Sequence, residues 1–231
     1  MQFHALLEEW PNESMVFFQK LPGCFSSAPT TEDALRAAPG AVETYLRWLK
    51  KNNVVILEEV DAIEVVLSER LRSSGINGPL FQADRDAPDD LAIDNALNVA
   101  ATARALVIEM VANVPEHLYE QQPASGGWSL TRHLRHIMEC EDWYISRLTD
   151  QPAPELPTAT LTTDEICMRI FERAMDSEIF LRDLTPEQRT RVWLHDDESW
   201  TAAKTLRRMA QHLREHYAYM EETIQQFAVN K

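Results

Sequence analysis

Two histidines of this chain, His212 and His216, stand four residues apart. On an α-helix that spacing is a rotation of about 40° and a rise of about 6 Å, so both rings lean over one face. His216 falls between Leu213 and Met220 in an apolar seam, and His212 flanks it, so both point towards a helical interior. A third histidine, His136, sits beside the apolar Ile137 in a separate periodic segment and can complete a triangle with the pair. Three neutral imidazoles leave positions open for water or substrate, the pattern of a catalytic metal rather than a structural one. Such ligation suits zinc, nickel, iron or copper, and spacing does not choose among them. His133, three residues before His136, is a fourth candidate ligand or a proton carrier. Glu139, three residues after His136, is a candidate ligand or catalytic group, or holds a ligand ring by a hydrogen bond. Glu215 points elsewhere on its helix and reads as solvated.

The elements that must position these residues follow from hydrophobic period. Residues 2–8 alternate, with Phe3, Ala5 and Leu7 against Gln2, His4 and Glu8, which predicts a strand. Turn chemistry at 11–14 precedes a returning strand at 15–18, and Leu21-Pro22-Gly23-Cys24 leads to a short third one. Thr30 or Thr31 can cap a helix over Ala34 to Lys51, in which Pro39 predicts a kink or a late start. Residues 63–67 predict a further strand. Gly75 to Pro88 carry the punctuation of a linker, so the expected division is a small α+β unit over 1–80 and a second unit over 81–231.

Beyond Asp89 the period is helical. Ile93, Leu97, Ala100, Val107, Val111 and Val114 form one seam, and a second helix opens at Ser129. A third starts at Thr163 and a fourth near Thr201. Four long amphipathic helices predict an all-α four-helix bundle, with a Pro-rich crossing (Pro152, Pro154, Pro157) between the second and third. Trp128 and Trp143 flank the second helix and can wall a pocket, though their spacing reads first as core, and Asp196-Asp197-Glu198 beside His195 reads as a solvated loop rather than a second ion site.

The 231 residues carry a net charge of −15, which repels a phosphate backbone and disfavours nucleic-acid binding. No apolar run of about 20 residues and no secretory signal is expected. The odd number of cysteines, Cys24, Cys140 and Cys167, far apart and without a CxxC pair, predicts buried thiols in a reducing cytoplasm.

At the histidine-bearing segments the sequence resembles the DinB superfamily, over about residues 90–229. The stretch Trp128-Ser129-Leu130 through His136-Ile137, the continuation Glu141 to Leu148, and Leu206 through His216 carry the likeness. His136, His212 and His216 fall on the family's ligand positions, which is the reason to join His136 rather than His133 to the pair. The resemblance implies a divalent metal, zinc or nickel foremost and iron or manganese next. It further implies a small-molecule substrate, a relation to transferases and isomerases that use low-molecular-weight thiols, and pairing of bundles into a homodimer. A non-catalytic metal-binding or stress-response module is the competing expectation. The first half, about residues 2–70, resembles HicB-like domains through Leu21-Pro22-Gly23-Cys24 and Thr31-Glu32-Asp33-Ala34-Leu35, which implies an accessory role.

Overall fold

The structure, a computed structural model, describes residues 1–55, 62–73, 77–124, 126–152 and 161–229. Gly75 of the expected linker and Pro154 and Pro157 of the expected crossing lie outside the described residues.

The N-terminal part is a mixed sheet covered by one helix. Strands β1 (Gln2–Glu9), β2 (Ser14–Phe18) and β3 (Phe25–Ala28) form an antiparallel meander, and β4 (Glu64–Arg72) returns parallel to β1, giving the order β3-β2-β1-β4. The expected strand at 63–67 is thus longer, because it pairs along all of β1. Helix α1 (Thr31–Lys51) is capped by Thr30, whose hydroxyl accepts from the Asp33 amide at 3.2 Å. It runs through Pro39 without starting late. Pro39 is exposed, so the carbonyl it leaves unpaired can be hydrated. Ala34, Ala38, Val42, Tyr45 and Leu49 face the sheet.

The strict alternation expected of β1 does not hold. Leu6 and Glu8 are as buried as Leu7, because the second face of the sheet is covered too. Phe81 packs there with Leu6, Met15 and Phe17.

The C-terminal part is a helical bundle. Helices α2 (Asp90–Ala112), α3 (Leu130–Ser146), α4 (Thr163–Arg182) and α6 (Ala202–Val229) each begin on a polar cap or a buried Thr201, and α4 carries a full capping box between Thr162 and Glu165. Helix α2 packs on α6 and α4, and α3 packs on α4 and α6, and the apolar seams meet in two buried clusters, one shared with the sheet and one around Ile93, Leu97, Leu181, Trp200 and Leu206. Between α4 and α6 lie a short helix α5 (Pro186–Thr190) and a hairpin of β5 (Trp193–His195) and β6 (Glu198–Trp200). Of Asp196-Asp197-Glu198, read as a solvated loop, the first two are the turn of that hairpin, whereas Glu198 is half-buried in β6 and accepts from Asn77 and, at 2.9 Å, from Trp200; Trp193 and Trp200 are buried. Helix α2 is, by length and composition, long and apolar enough to cross a membrane, against expectation. Here it is a bundle helix, and its Arg104 is buried in an ion pair with Glu141 of α3.

The two parts share a core. Residues from the sheet, α1, α2, α3 and α6 belong to one apolar cluster. A buried polar junction joins them as well. Arg207 of α6 donates to both oxygens of Asp84, at 3.0 and 2.7 Å, and to Glu8 of β1 at 3.3 Å. Arg214 lies 4.2 Å over the Trp48 ring and 4.8 Å over Tyr45. Gly23, at φ +77°, lets the chain approach α6 so closely that a Cβ there would stand 3.1 Å from the Ala210 carbonyl.

Candidate metal centre

The site is built by two facing helices. Ser129 caps α3 by accepting from the Arg132 amide, and this fixes the first turn that carries His133. His133, His136 and Cys140 then follow at spacings of three and four on the side of α3 that meets α6. Opposite them α6 presents His212, His216 and Tyr219. The rings interleave. His212 and His216 lie 4.4 Å apart between centroids, His136 lies 5.0 Å from His212 and 5.1 Å from His216, and His133 lies 5.0 Å from His216. The structure therefore gathers the rings of His136, His212 and His216 and also that of His133, while the group whose ligating atoms all lie within 4.8 Å of one another is His136, Cys140 and His212.

His133 is not a bystander. Its Nδ1 stands 2.8 Å from Nδ1 of His216, a hydrogen bond that needs a proton on one of the two nitrogens only. If His216 carries it, His216 donates to His133 and leaves its own Nε2 lone pair free. Trp128 lays its ring 5.1 Å from His136 and 5.4 Å from His133, and Tyr144 stands 5.8 Å from His212. The expectation that Trp128 is core is corrected: it is half-buried and walls the histidines, because the turn before α3 delivers it there. Trp143 is half-buried too, but packs edge-on against the buried Trp200 at the border of the core.

Burial governs the electrostatics. It pushes the His133 imidazole down to about 4 and His216 to about 3, and it lowers His136 and His212 too. The neighbouring rings add to the effect at His133, His212 and His216, since one imidazolium disfavours another. All four are neutral at pH 7, the form that ligates. Nε2 of His212 is buried and has no hydrogen-bond partner. A buried ring nitrogen with no hydrogen-bond partner, among three more neutral imidazoles, fits a divalent metal ion.

Cys140 was missed. Its Sγ lies 3.5 Å from Nε2 of His136, and the ligating atoms of His136, Cys140 and His212 all lie within 4.8 Å of one another. Its position four residues after His136 repeats the spacing of His212 and His216 and was the available signal. Glu139 is not brought in: no hydrogen bond or ion pair joins it to the histidines among the described residues, and its charge acts instead on Cys140. The reading of Glu215 as solvated is also corrected. It is half-buried, accepts from Gln211 at 2.9 Å and from Tyr219 at 3.2 Å, and has its carboxyl pushed up by burial.

A cleft of about 450 Å³ opens on the His133 and His216 side, between Trp128, Glu215, Tyr219 and Glu222. A model of the DinB family matches residues 91–219, more than half of the chain and all four histidines of the cluster. The chain belongs to the DinB family. Among solved structures this DinB chain is similar to YfiT from Bacillus subtilis, described as a probable metal-dependent hydrolase with an unusual four-helix bundle topology. The two share 19% identity over 65% of this chain and 95% of that one, with a TM-score of 0.52, a likeness of fold. No curated protein sequence matches the DinB chain. The HicB-like resemblance of the first half gains no support from these comparisons, since the family match begins only at residue 91.

Proposed function

We propose that this protein is a metal-dependent enzyme whose four-helix bundle holds a divalent ion, zinc or nickel foremost, through His136, His212 and His216. The observation that carries the reading is the buried, unpartnered Nε2 of His212 inside a cluster of neutral imidazoles that borders a cleft. A divalent ion there supplies a Lewis acid that lowers the pKa of a bound water or thiol.

The chain's own residues do the rest. With His216 holding the ion through Nε2, its Nδ1 would carry the proton shared with His133 at 2.8 Å, and His133 would accept it and so fix that ring's direction. Trp128 and Tyr219 narrow the cleft and shield the reacting atoms from bulk water. Glu215 and Glu222 line the same cleft and receive a hydrogen-bond donor or an ammonium group of the bound molecule. The substrate is a small molecule, and the reaction is transfer or isomerisation with a low-molecular-weight thiol as nucleophile. Hydrolysis, with water as nucleophile, is the second reading, favoured by the likeness to YfiT. Residues 1–80 are read as an accessory unit, the whole working as a homodimer in a reducing cytoplasm that keeps Cys24, Cys140 and Cys167 free.

The test is elemental analysis of full-length protein purified without chelator or affinity-tag metal, followed by melting curves with glutathione, bacillithiol or mycothiol, with and without the ion. A bound ion and a melting temperature raised by one thiol only when the ion is present support the reading. Protein that carries no ion and takes none up overturns it. An ion bound with no response to any thiol, but with ester or amide cleavage, selects hydrolysis.

A further inference from the structure

We propose that Cys140 is itself a ligand of the ion held by His136 and His212, an inference that rests on the metal centre proposed above.

Two i, i+4 pairs face each other across the bundle, His136 and Cys140 on α3 and His212 and His216 on α6. The Cys140 sulfur stands 3.5 Å from Nε2 and 3.7 Å from Nδ1 of His136. Donors around a tetrahedral zinc, with Zn–N of about 2.0 Å and Zn–S of about 2.3 Å, are about 3.5 Å apart for a nitrogen–sulfur pair. The sulfur–nitrogen separation is therefore that of two ligands of one ion. The second observation is independent. Nε2 of His212 is buried without a partner, and a ring nitrogen of that same residue belongs to the group of ligating atoms that includes the Cys140 sulfur. His216, by contrast, has its Nδ1 engaged with His133 and borders the cleft.

The ion is then enclosed on the Cys140 side and approached from the His216 side. On loading, the thiol S–H bond breaks, a sulfur–metal bond forms and the proton leaves to solvent. A thiolate donor favours zinc, nickel or cobalt over manganese, because manganese suits oxygen ligands. A substrate atom enters as a further donor, a coordination number that zinc sites reach. The competing account is a packing thiol that only shares a weak hydrogen bond with His136.

Cobalt(II) loading of the metal-free full-length protein separates the two. The expected spectrum has visible ligand-field bands and a near-ultraviolet sulfur-to-cobalt charge-transfer band. Cys140→Ser keeps the visible bands and loses the near-ultraviolet one, while Cys167→Ser keeps both. Visible bands without the charge-transfer band in the unaltered protein overturn the Cys140 assignment and leave the metal centre standing. No retained cobalt overturns both. X-ray absorption of the zinc-loaded unaltered protein decides without any variant: one sulfur at about 2.3 Å with nitrogens at about 2.0 Å supports the assignment, and a shell of nitrogen and oxygen alone overturns it.

Discussion

Burying four imidazoles in one place is unfavourable for their protonated forms, and each ring of the cluster shows it. Unfolded, a histidine takes its proton near 6.5; folded, His133 does so only at about 4 and His216 at about 3. Between those values the unfolded chain binds more protons, so stability falls as the pH drops below 6.5 and goes on falling to about 3. The metal-free protein should accordingly melt at steadily lower temperature from pH 7 to pH 4, and calorimetry over that range checks it. At pH 7 and above the contribution is complete. His133→Ala removes the acceptor that orients His216, and zinc affinity measured by chelator competition should fall about 10- to 100-fold, the usual cost of an outer partner. His133→Asn, which can still accept, should recover part of the loss. The sequence places His212 and His216 on one face by spacing alone. It does not show that His133 and His216 share a proton, because that bond joins residues 83 apart.

The helices are the reason the residues meet. Helix α3 begins where Ser129 predicts it, and its register decides that His133, His136 and Cys140 share a side. A buried ion pair fixes how α3 lies against α2: Arg104 donates to Glu141, and both are almost wholly enclosed. Arg104→Ala leaves that carboxylate uncompensated and should cost about 3–5 kcal/mol by denaturant unfolding, whereas replacing both partners with apolar residues should restore most of it. The late start offered for α1 at Pro39 does not occur, and the β5–β6 hairpin went unread, for different reasons. Proline is tolerated in α1 because that position is exposed, which is a tertiary fact. The hairpin strands are three residues each, too short for any period to register.

Across the whole molecule, the sheet and the bundle are joined by groups that cannot be separated without stranding charge. Glu8 is fully enclosed between Arg207 at 3.3 Å and Arg208 at 3.5 Å, and Asp84 holds Arg207 from the other side. Lys204, equally enclosed, donates to the carbonyls of Gly78 and Ser199 and has its ammonium pushed down to about 8 by burial. Asp84→Asn should therefore destabilise the sheet and the bundle together, by about 3–5 kcal/mol, with near- and far-ultraviolet circular dichroism moving in one transition. Two separate transitions would show that residues 1–80 unfold independently of the bundle.

The sequence by itself determined the long helices between residues 90 and 229 with their inward seams, the helix start at Ser129, and the spacing of the His212–His216 pair. These are written in local period and in residue types with a fixed backbone preference. Only the tertiary structure decided that Glu8 is buried, that Trp128 walls the histidines, that Glu139 stays away and that Cys140 comes within 3.5 Å of His136. Each of those depends on what a neighbouring element places against the residue, and a helix or strand carries no local record of its neighbour's side chains.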